Sequence, residues 1–141
     1  MTRQLGTLIL PKKIKTQPII RKPIIMDNHF QIALFHVLVV SPLFLYVGLA
    51  REQTPDAVFY TLGGIGAFIL LFHMYKAYEK IKEGKSAWVN YIHIFLVAPL
   101  LIILGYNRKT TNRKYFEMLL ILGFAGGGYH ALSIMREMLS R

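Results

Sequence analysis

The stretch His36-Val-Leu-Val-Val-Ser-Pro42-Leu43, followed by Gly48, decides the fold because it occurs twice in the chain. At an offset of 57 positions the sequence reads His93-Ile-Phe-Leu-Val-Ala-Pro99-Leu100, followed by Gly105. The same offset pairs Phe59 with Phe116, Leu62 with Leu119, Gly66 with Gly123 and His73 with His130. Two gap-free segments with His, Pro and Gly in step are typical of a tandem duplication. The sequence therefore predicts two copies of one structural unit.

Four long runs of the sequence contain no Asp, Glu, Lys or Arg. Each run is 18 to 22 residues long, and they cover residues 30–50, 57–75, 86–107 and 118–135. At a rise of about 1.5 Å per residue, such a helix crosses a hydrocarbon core roughly 30 Å thick. A water-soluble helix of this length needs a charged face, which these runs lack. Together with 54% hydrophobic residues, the runs predict an all-α integral membrane four-helix bundle.

The duplication divides the chain into three parts. Residues 1–28 form a basic N-terminal tail with prolines spaced through it, and prolines at such intervals prevent a long helix. Residues 29–82 are predicted to form a first transmembrane hairpin, and residues 86–138 a second. Two hairpins of the same direction make a parallel repeat with a pseudo-two-fold axis along the membrane normal.

Basic residues are unevenly distributed between the two sides of the predicted bundle. The side with both termini carries Arg3, Lys12, Lys13, Lys15, Arg21, Lys22, Lys76, Lys80, Lys82, Lys85, Arg136 and Arg141. The opposite side carries Arg51, Arg108, Lys109, Arg113 and Lys114. By the positive-inside rule, both termini are expected to face the cytoplasm or an equivalent compartment.

The tail combines basic residues with short apolar stretches. Its candidate contacts to a partner or to lipid headgroups are Lys12, Lys13, Lys15, Arg21 and Lys22. Attraction to an anionic surface is worth about 1 kcal/mol per basic residue. The interleaved pairs Ile19-Ile20 and Ile24-Ile25 also favour docking as an extended strand into grooves of another protein. The tail lacks aromatic residues for base stacking, so we expect no specific nucleic acid, and an organelle transit peptide is a third alternative.

Four histidines are predicted to lie at one depth in the bundle. His36 and His93 follow the start of their helices by about one and a half turns, and His73 and His130 shortly precede the end of theirs. Helical rise places this layer roughly 5 to 10 Å below the basic-side interface. The chain contains no cysteine, so thiolate metal sites and iron–sulfur clusters are excluded.

Three hypotheses fit the four histidines. The imidazoles can hold helices together by hydrogen bonds across a helix pair, to a carbonyl or to a Tyr. They can instead be cofactor-binding residues, with a transition metal or a haem held between helices. They can also move protons, because histidine titrates near neutral pH. The sequence places no carboxylate at that depth as a second partner for metal-bound histidine, which weakens the metal hypothesis.

Four glycines and two prolines within the predicted spans are candidate positions for helix packing and helix kinks. Gly63, Gly66, Gly123 and Gly127 are candidates for close helix packing, either within the bundle or between copies of a homo-oligomer. Pro42 and Pro99 lie near the middle of the membrane, and each is expected to kink its helix at the equivalent place.

The turns between helices carry the remaining polar residues. Thr54 or Asp56 is expected to cap the second helix, with Pro55 in its first turn. A polar loop over residues 106–114 leads to the fourth helix, whose first turn is expected to hold Glu117 in an ion pair beside Arg113. No nucleophile–base pair and no paired carboxylates can be assembled, so no enzymatic activity is predicted.

Three further stretches are Phe35-His36-Val-Leu-Val-Val-Ser-Pro42-Leu-Phe-Leu-Tyr-Val-Gly48, Trp88-Val-Asn-Tyr-Ile-His93-Ile-Phe-Leu-Val-Ala-Pro99-Leu100, and Phe116-Glu-Met-Leu-Leu-Ile-Leu-Gly123 through Tyr129-His130. They resemble small four-span membrane proteins of large DNA viruses that infect algae and other protists. The resemblance covers about residues 27–135 and excludes the basic tail. It implies a setting rather than an activity: an integral protein of a virion's inner membrane whose tail contacts the capsid or neighbouring membrane proteins.

Overall fold

The computed structural model of the protein describes residues 28–140, and residues 1–27 and 141 lie outside the described part. Four helices follow one another: α1 (Asn28–Gln53), α2 (Asp56–Lys82), α3 (Trp88–Thr110) and α4 (Arg113–Leu139). Each is long and apolar enough to cross a membrane, and no strand occurs among the described residues. The prediction of an all-α membrane four-helix bundle is confirmed.

Both odd-numbered helices contain a wide turn at the same place. In α1 a π-helical turn covers His36–Val40, and in α3 it covers His93–Val97. Each turn ends two residues before the proline, so that Ser41 and then Pro42 follow it in α1. The Ser41 N–H donates to the His36 carbonyl, one residue further back than in an α-helix.

Proline explains why the wide turns occur there. Pro42 and Pro99 have no N–H, and a proline ring clashes with the carbonyl one α-helical turn before it. Widening the preceding turn moves that carbonyl away from the ring. In α3 the Ala98 N–H donates to the His93 carbonyl in the same way, so the predicted kink positions coincide with two equivalent wide turns.

The turns on the less basic side are also equivalent, and they differ in part from the prediction. Arg51 and Arg108 each have φ of 50°, and each begins a 3-10 turn that ends its helix. The capping prediction for α2 is wrong: Pro55 occupies the cap position without a side-chain hydrogen bond. The buried Thr54 hydroxyl has no hydrogen-bond partner within the described part.

Helix α4 begins earlier than the sequence predicted. Asn112 caps it by accepting a hydrogen bond from the Lys114 N–H at 3.1 Å. Because α4 starts at Arg113, Glu117 lies beyond the first turn, where it accepts from Arg113 Nε at 2.7 Å. At the opposite end of the bundle, α2 ends before Gly84, whose φ of 65° suits a residue without a side chain.

The closest backbone approaches join helices of different repeats. Helix α2 packs against α3, and α1 packs against α4. A Cβ added at Gly66 would lie 2.9 Å from Leu101 Cβ, and one added at Gly123 would lie 3.2 Å from Phe44 Cβ. Leu101 and Phe44 are equivalent positions in the two repeats. The duplication has therefore produced the same interface twice.

Large buried side chains lie in the half of the bundle next to the two turns on the less basic side. The core there consists of Phe44, Val47, Phe59, Leu62, Leu100, Leu101, Leu104, Phe116 and Leu119. Phe59 and Phe116, which are equivalent in the repeats, meet edge to face with ring centroids 6.2 Å apart. Equivalent residues meet in this way where they lie next to a pseudo-two-fold axis.

The histidine half of the bundle buries small or polar side chains instead. Its buried residues are Ala33, Ser41, Ala77, Ala87, Asn90 and Ala98. Large apolar side chains on the outside of the helices are exposed, for example Phe95 at 75% and Phe124 at 69%. Such outward-facing apolar residues are suited to lipid, so the protein is a polytopic membrane protein that associates with the bilayer.

We expect Gly66→Ala to destabilise the bundle by about 1 to 3 kcal/mol, because the added methyl overlaps the α3 backbone. The new Cβ would lie 3.0 Å from the Ile102 nitrogen and 3.1 Å from the Ala98 carbonyl oxygen. Gly64→Ala in the same helix is the matched control, since a Cβ there has open space around it. Thermal unfolding in detergent measures both variants. Equal changes in Tm would contradict a close contact at Gly66.

Candidate functional site

The four predicted histidines meet in two stacked pairs. The His36 and His130 rings have centroids 4.3 Å apart, with 30° between their planes. The His73 and His93 rings have centroids 4.0 Å apart, with 11° between their planes. Each pair joins an odd helix of one repeat to the even helix of the other. The histidines therefore lie at the two closest helix interfaces, one pair at each.

The histidines of the odd helices are held by their own backbone. His36 Nδ1 lies 2.8 Å from the Ile32 carbonyl oxygen, and His93 Nδ1 lies 2.8 Å from the Val89 carbonyl oxygen. A carbonyl oxygen only accepts, so Nδ1 carries the proton in both rings. In the neutral ring this leaves the lone pair on Nε2. The sequence-based expectation of hydrogen bonds across the helix pair is wrong for these two residues.

The even-helix histidines differ from each other. His73 Nδ1 lies 3.0 Å from the side-chain oxygen of the buried Asn90 on α3. The buried His130 Nδ1 has no hydrogen-bond partner in the described part. The position in α1 equivalent to Asn90 is Ala33, which is also buried. The α1–α4 pair therefore lacks the side-chain amide that bonds to His73 in the α2–α3 pair.

Asn90 is the site residue that sequence reasoning missed. Asn90 neither carries a charge nor takes part in the repeated histidine pattern, so its residue type alone does not mark it. Its position three residues before His93, in a run that is otherwise apolar or aromatic, was the available signal. Tyr129, a predicted partner type, instead contacts the His130 ring edge to face at 5.2 Å.

The ring geometry bears on what the layer can bind. A metal ion lies in the plane of each imidazole that ligates it, and two nearly parallel planes stacked at 4.0 Å do not meet at ligand distance. Stacking also leaves no space for a porphyrin between the rings of one pair. Within residues 28–140, no group of three or more His, Cys, Asp or Glu is arranged to hold a metal ion. Cofactor binding by the four histidines stays a prediction that requires the rings to turn.

The polar groups at the basic-side end of α2 are paired with one another. Glu79 accepts hydrogen bonds from Tyr75 at 2.8 Å and from Lys76 at 2.7 Å. Glu79 therefore sits in a surface ion pair close to the end of its helix. The other predicted contact residues on this side, Lys12, Lys13, Lys15, Arg21 and Lys22, lie outside the described residues.

No protein-family model, no curated protein and no solved structure matches this chain. The chemistry of the histidine layer is therefore inferred from the geometry of its own residues.

We expect ¹⁵N NMR of the neutral protein to find the proton of His73 on Nδ1, because Asn90 accepts it there. Asn90→Ala should release His73 to the other tautomer. His93 provides the internal control, since its Nδ1 is held by the backbone carbonyl of Val89, which the substitution leaves in place. An unchanged His73 signal would contradict the hydrogen bond to Asn90, and a parallel change at His93 would indicate a disturbed helix.

Proposed function

We propose that this protein is a non-catalytic structural component of a viral inner membrane. The four helices anchor it in the bilayer, and the basic tail contacts the capsid or neighbouring membrane proteins. The observation that carries this proposal is the pairing of the four histidines at the two helix interfaces. His36 and His93 bond to their own helices, His73 bonds across to Asn90, and each pair of rings stacks between two helices. Polar contacts between helices of this kind stabilise a bundle without a ligand.

Packing in the half away from the histidines argues against proton or ion conduction. Phe59, Leu62, Leu101, Leu104, Phe116 and Leu119 are buried there to within 1% of their surface. A conductor needs polar groups or water along its whole path. The packed layer of Phe and Leu below the histidines offers no polar side chain to such a path. This arrangement suits a protein whose interior only holds the helices together.

The viral setting is supported by the resemblance of residues 27–135 to four-span proteins of large DNA viruses. The proposal of a protein partner is supported by the sequence of the tail, in which isoleucine pairs alternate with basic residues. A purely electrostatic contact with lipid does not need those apolar pairs. The proposed location is therefore the virion's inner membrane, with both termini on the basic side.

A histidine-lined cofactor site is the second candidate function, and one observation favours it. Histidines that bind metals usually donate their other ring N–H to a carbonyl or a carboxylate, which fixes the tautomer. His36, His73 and His93 all have Nδ1 within hydrogen-bond distance of a carbonyl or amide oxygen. Their Nε2 atoms would then be the ligands for a haem or a transition metal.

An optical spectrum with metal analysis separates these two functions. We expect the detergent-purified protein to be colourless and metal-free, and to give the same result when His36 and His93 are both changed to Ala. Single His→Gln variants should fold and lose about 0.5 to 2 kcal/mol, the usual worth of a polar contact between membrane helices. A Soret band or stoichiometric metal that disappears in the double variant would refute the structural proposal and establish the cofactor site.

The tail contact can be tested by cross-linking in assembled virions. Deletion of residues 1–25 should leave the Tm of the bundle in detergent unchanged and abolish cross-links to capsid or neighbouring membrane proteins. The control changes the five tail cations Lys12, Lys13, Lys15, Arg21 and Lys22 to Gln and keeps every isoleucine. Residual cross-links in this control indicate docking through the apolar pairs. Normal assembly and normal cross-links after the deletion would contradict the proposal.

A further inference from the structure

An open cleft of about 580 Å³ lies where α3 ends and α2 begins. It is lined by Asp56, Tyr106, Asn107, Arg108, Lys109 and Thr110. Helix α3 has 23 residues, so at about 1.5 Å per residue it spans roughly 35 Å, slightly more than a hydrocarbon core. Trp88 begins this helix, and Trp and Tyr favour the membrane interface. The cleft at the other end of α3 therefore lies at the level of the lipid headgroups.

Arg108 is fixed at the rim of the cleft by Tyr60. Its Nη1 donates to the Tyr60 hydroxyl at 2.6 Å, and its guanidinium carbon lies 5.2 Å from the centre of the Tyr60 ring. A guanidinium carries several N–H donors in a planar fork, so the bond to Tyr60 leaves donors for a further acceptor. Tyr60 thus holds the cation in place without neutralising it.

Lys109 adds a second cation beside Arg108. Its Nζ lies 3.6 Å from an Asp56 carboxylate oxygen, and both side chains are about half exposed. An ion pair this long and this exposed contributes little to stability, and Lys109 can readily exchange Asp56 for another anion. Two cations facing one carboxylate leave the cleft with one net positive charge, so an anion is attracted to it.

The first repeat provides a comparison within the same molecule. The positions equivalent to Arg108, Lys109, Asp56 and Tyr60 are Arg51, Glu52, Arg113 and Glu117, respectively. This set holds two cations and two carboxylates, and Arg113 Nε donates to Glu117 at 2.7 Å. The first-repeat turn therefore has no net charge in this set. The two turns contact each other, and the excess positive charge of the compared residues lies at Arg108 and Lys109, so an anion is drawn to that side of the two turns.

We propose that this cleft binds the phosphate of a phospholipid headgroup through Arg108 and Lys109. Charge-assisted bonds from a guanidinium and an ammonium are the usual way to hold a phosphate. The exposed Tyr106, with 84% of its surface accessible, also lines the cleft, and the glycerol and upper acyl chain of the lipid would pass along it. This inference is independent of the structural role proposed above, because it concerns the lipid around the bundle rather than the tail.

Lipid titration of the purified full-length protein in detergent tests the site, with bound lipid counted by native mass spectrometry. Phosphatidylglycerol should occupy the site at least fivefold more than the same concentration of an uncharged diacylglycerol, and Lys109→Gln or Arg108→Gln should lower occupancy at least fivefold. Lys114→Gln is the matched control: it removes the same charge on the same membrane side, where Lys114 contacts Tyr115 rather than the cleft. It should change occupancy less than twofold.

Three outcomes would overturn the proposal. Equal losses in Lys114→Gln and Lys109→Gln would mean that diffuse surface charge, not the cleft, attracts the lipid. Displacement of the lipid by millimolar inorganic phosphate would identify a site for free anions. Equal binding of the uncharged diacylglycerol would mean that phosphate is not recognised.

Lys109→Glu, which copies Glu52 of the first repeat, should give the largest loss of lipid occupancy. The circular dichroism spectrum of this variant shows whether it has folded.

Discussion

The fold depends on how a helix in lipid accommodates a proline. Without water, every backbone N–H and carbonyl in the bilayer must find a partner within the protein. Pro42 and Pro99 supply no N–H, and the preceding turn widens so that the residue before each proline bonds to a histidine carbonyl. The same histidine bonds through Nδ1 to a carbonyl one turn earlier in its helix. Proline, wide turn and histidine therefore form one unit, and the duplication has copied it whole.

Pairing across the repeats explains why two copies are needed. His36 and His73 belong to the first repeat, yet they stack on His130 and His93 of the second. A single hairpin contains both of the helix surfaces that form the interface. These surfaces cannot meet within it, because the close packing is between helices of different hairpins. One hairpin alone would need a second copy of itself to form these contacts, as in a symmetric dimer. The duplication places both halves in one chain.

The parts of this fold that sequence reasoning predicted depend on local pattern. The repeat follows from the self-match at an offset of 57 positions, and the span length and the common depth of the histidines follow from apolar runs and helical rise. The partner of each histidine does not, because periodicity does not state which helices are neighbours, and both pairs proved to cross between repeats. The cap of α2 was predicted wrongly because Thr54 and Asp56 suit a cap by residue type, whereas Pro55 took the position. Asn90 was missed because it is uncharged.

Differences between the repeats show that the two helix pairs are unequally tied. In the α2–α3 pair Gly63 faces Gly105 backbone to backbone, whereas in the α1–α4 pair Leu120 stands where Gly63 would be and lies against Gly48. Asn90 accepts from His73 in the first pair, whereas in the second Ala33 takes the equivalent position and His130 Nδ1 has no hydrogen bond among residues 28–140. The α2–α3 pair therefore has the closer backbones and a side-chain hydrogen bond between its helices, although the buried Asn90 Nδ2 also has no partner among those residues.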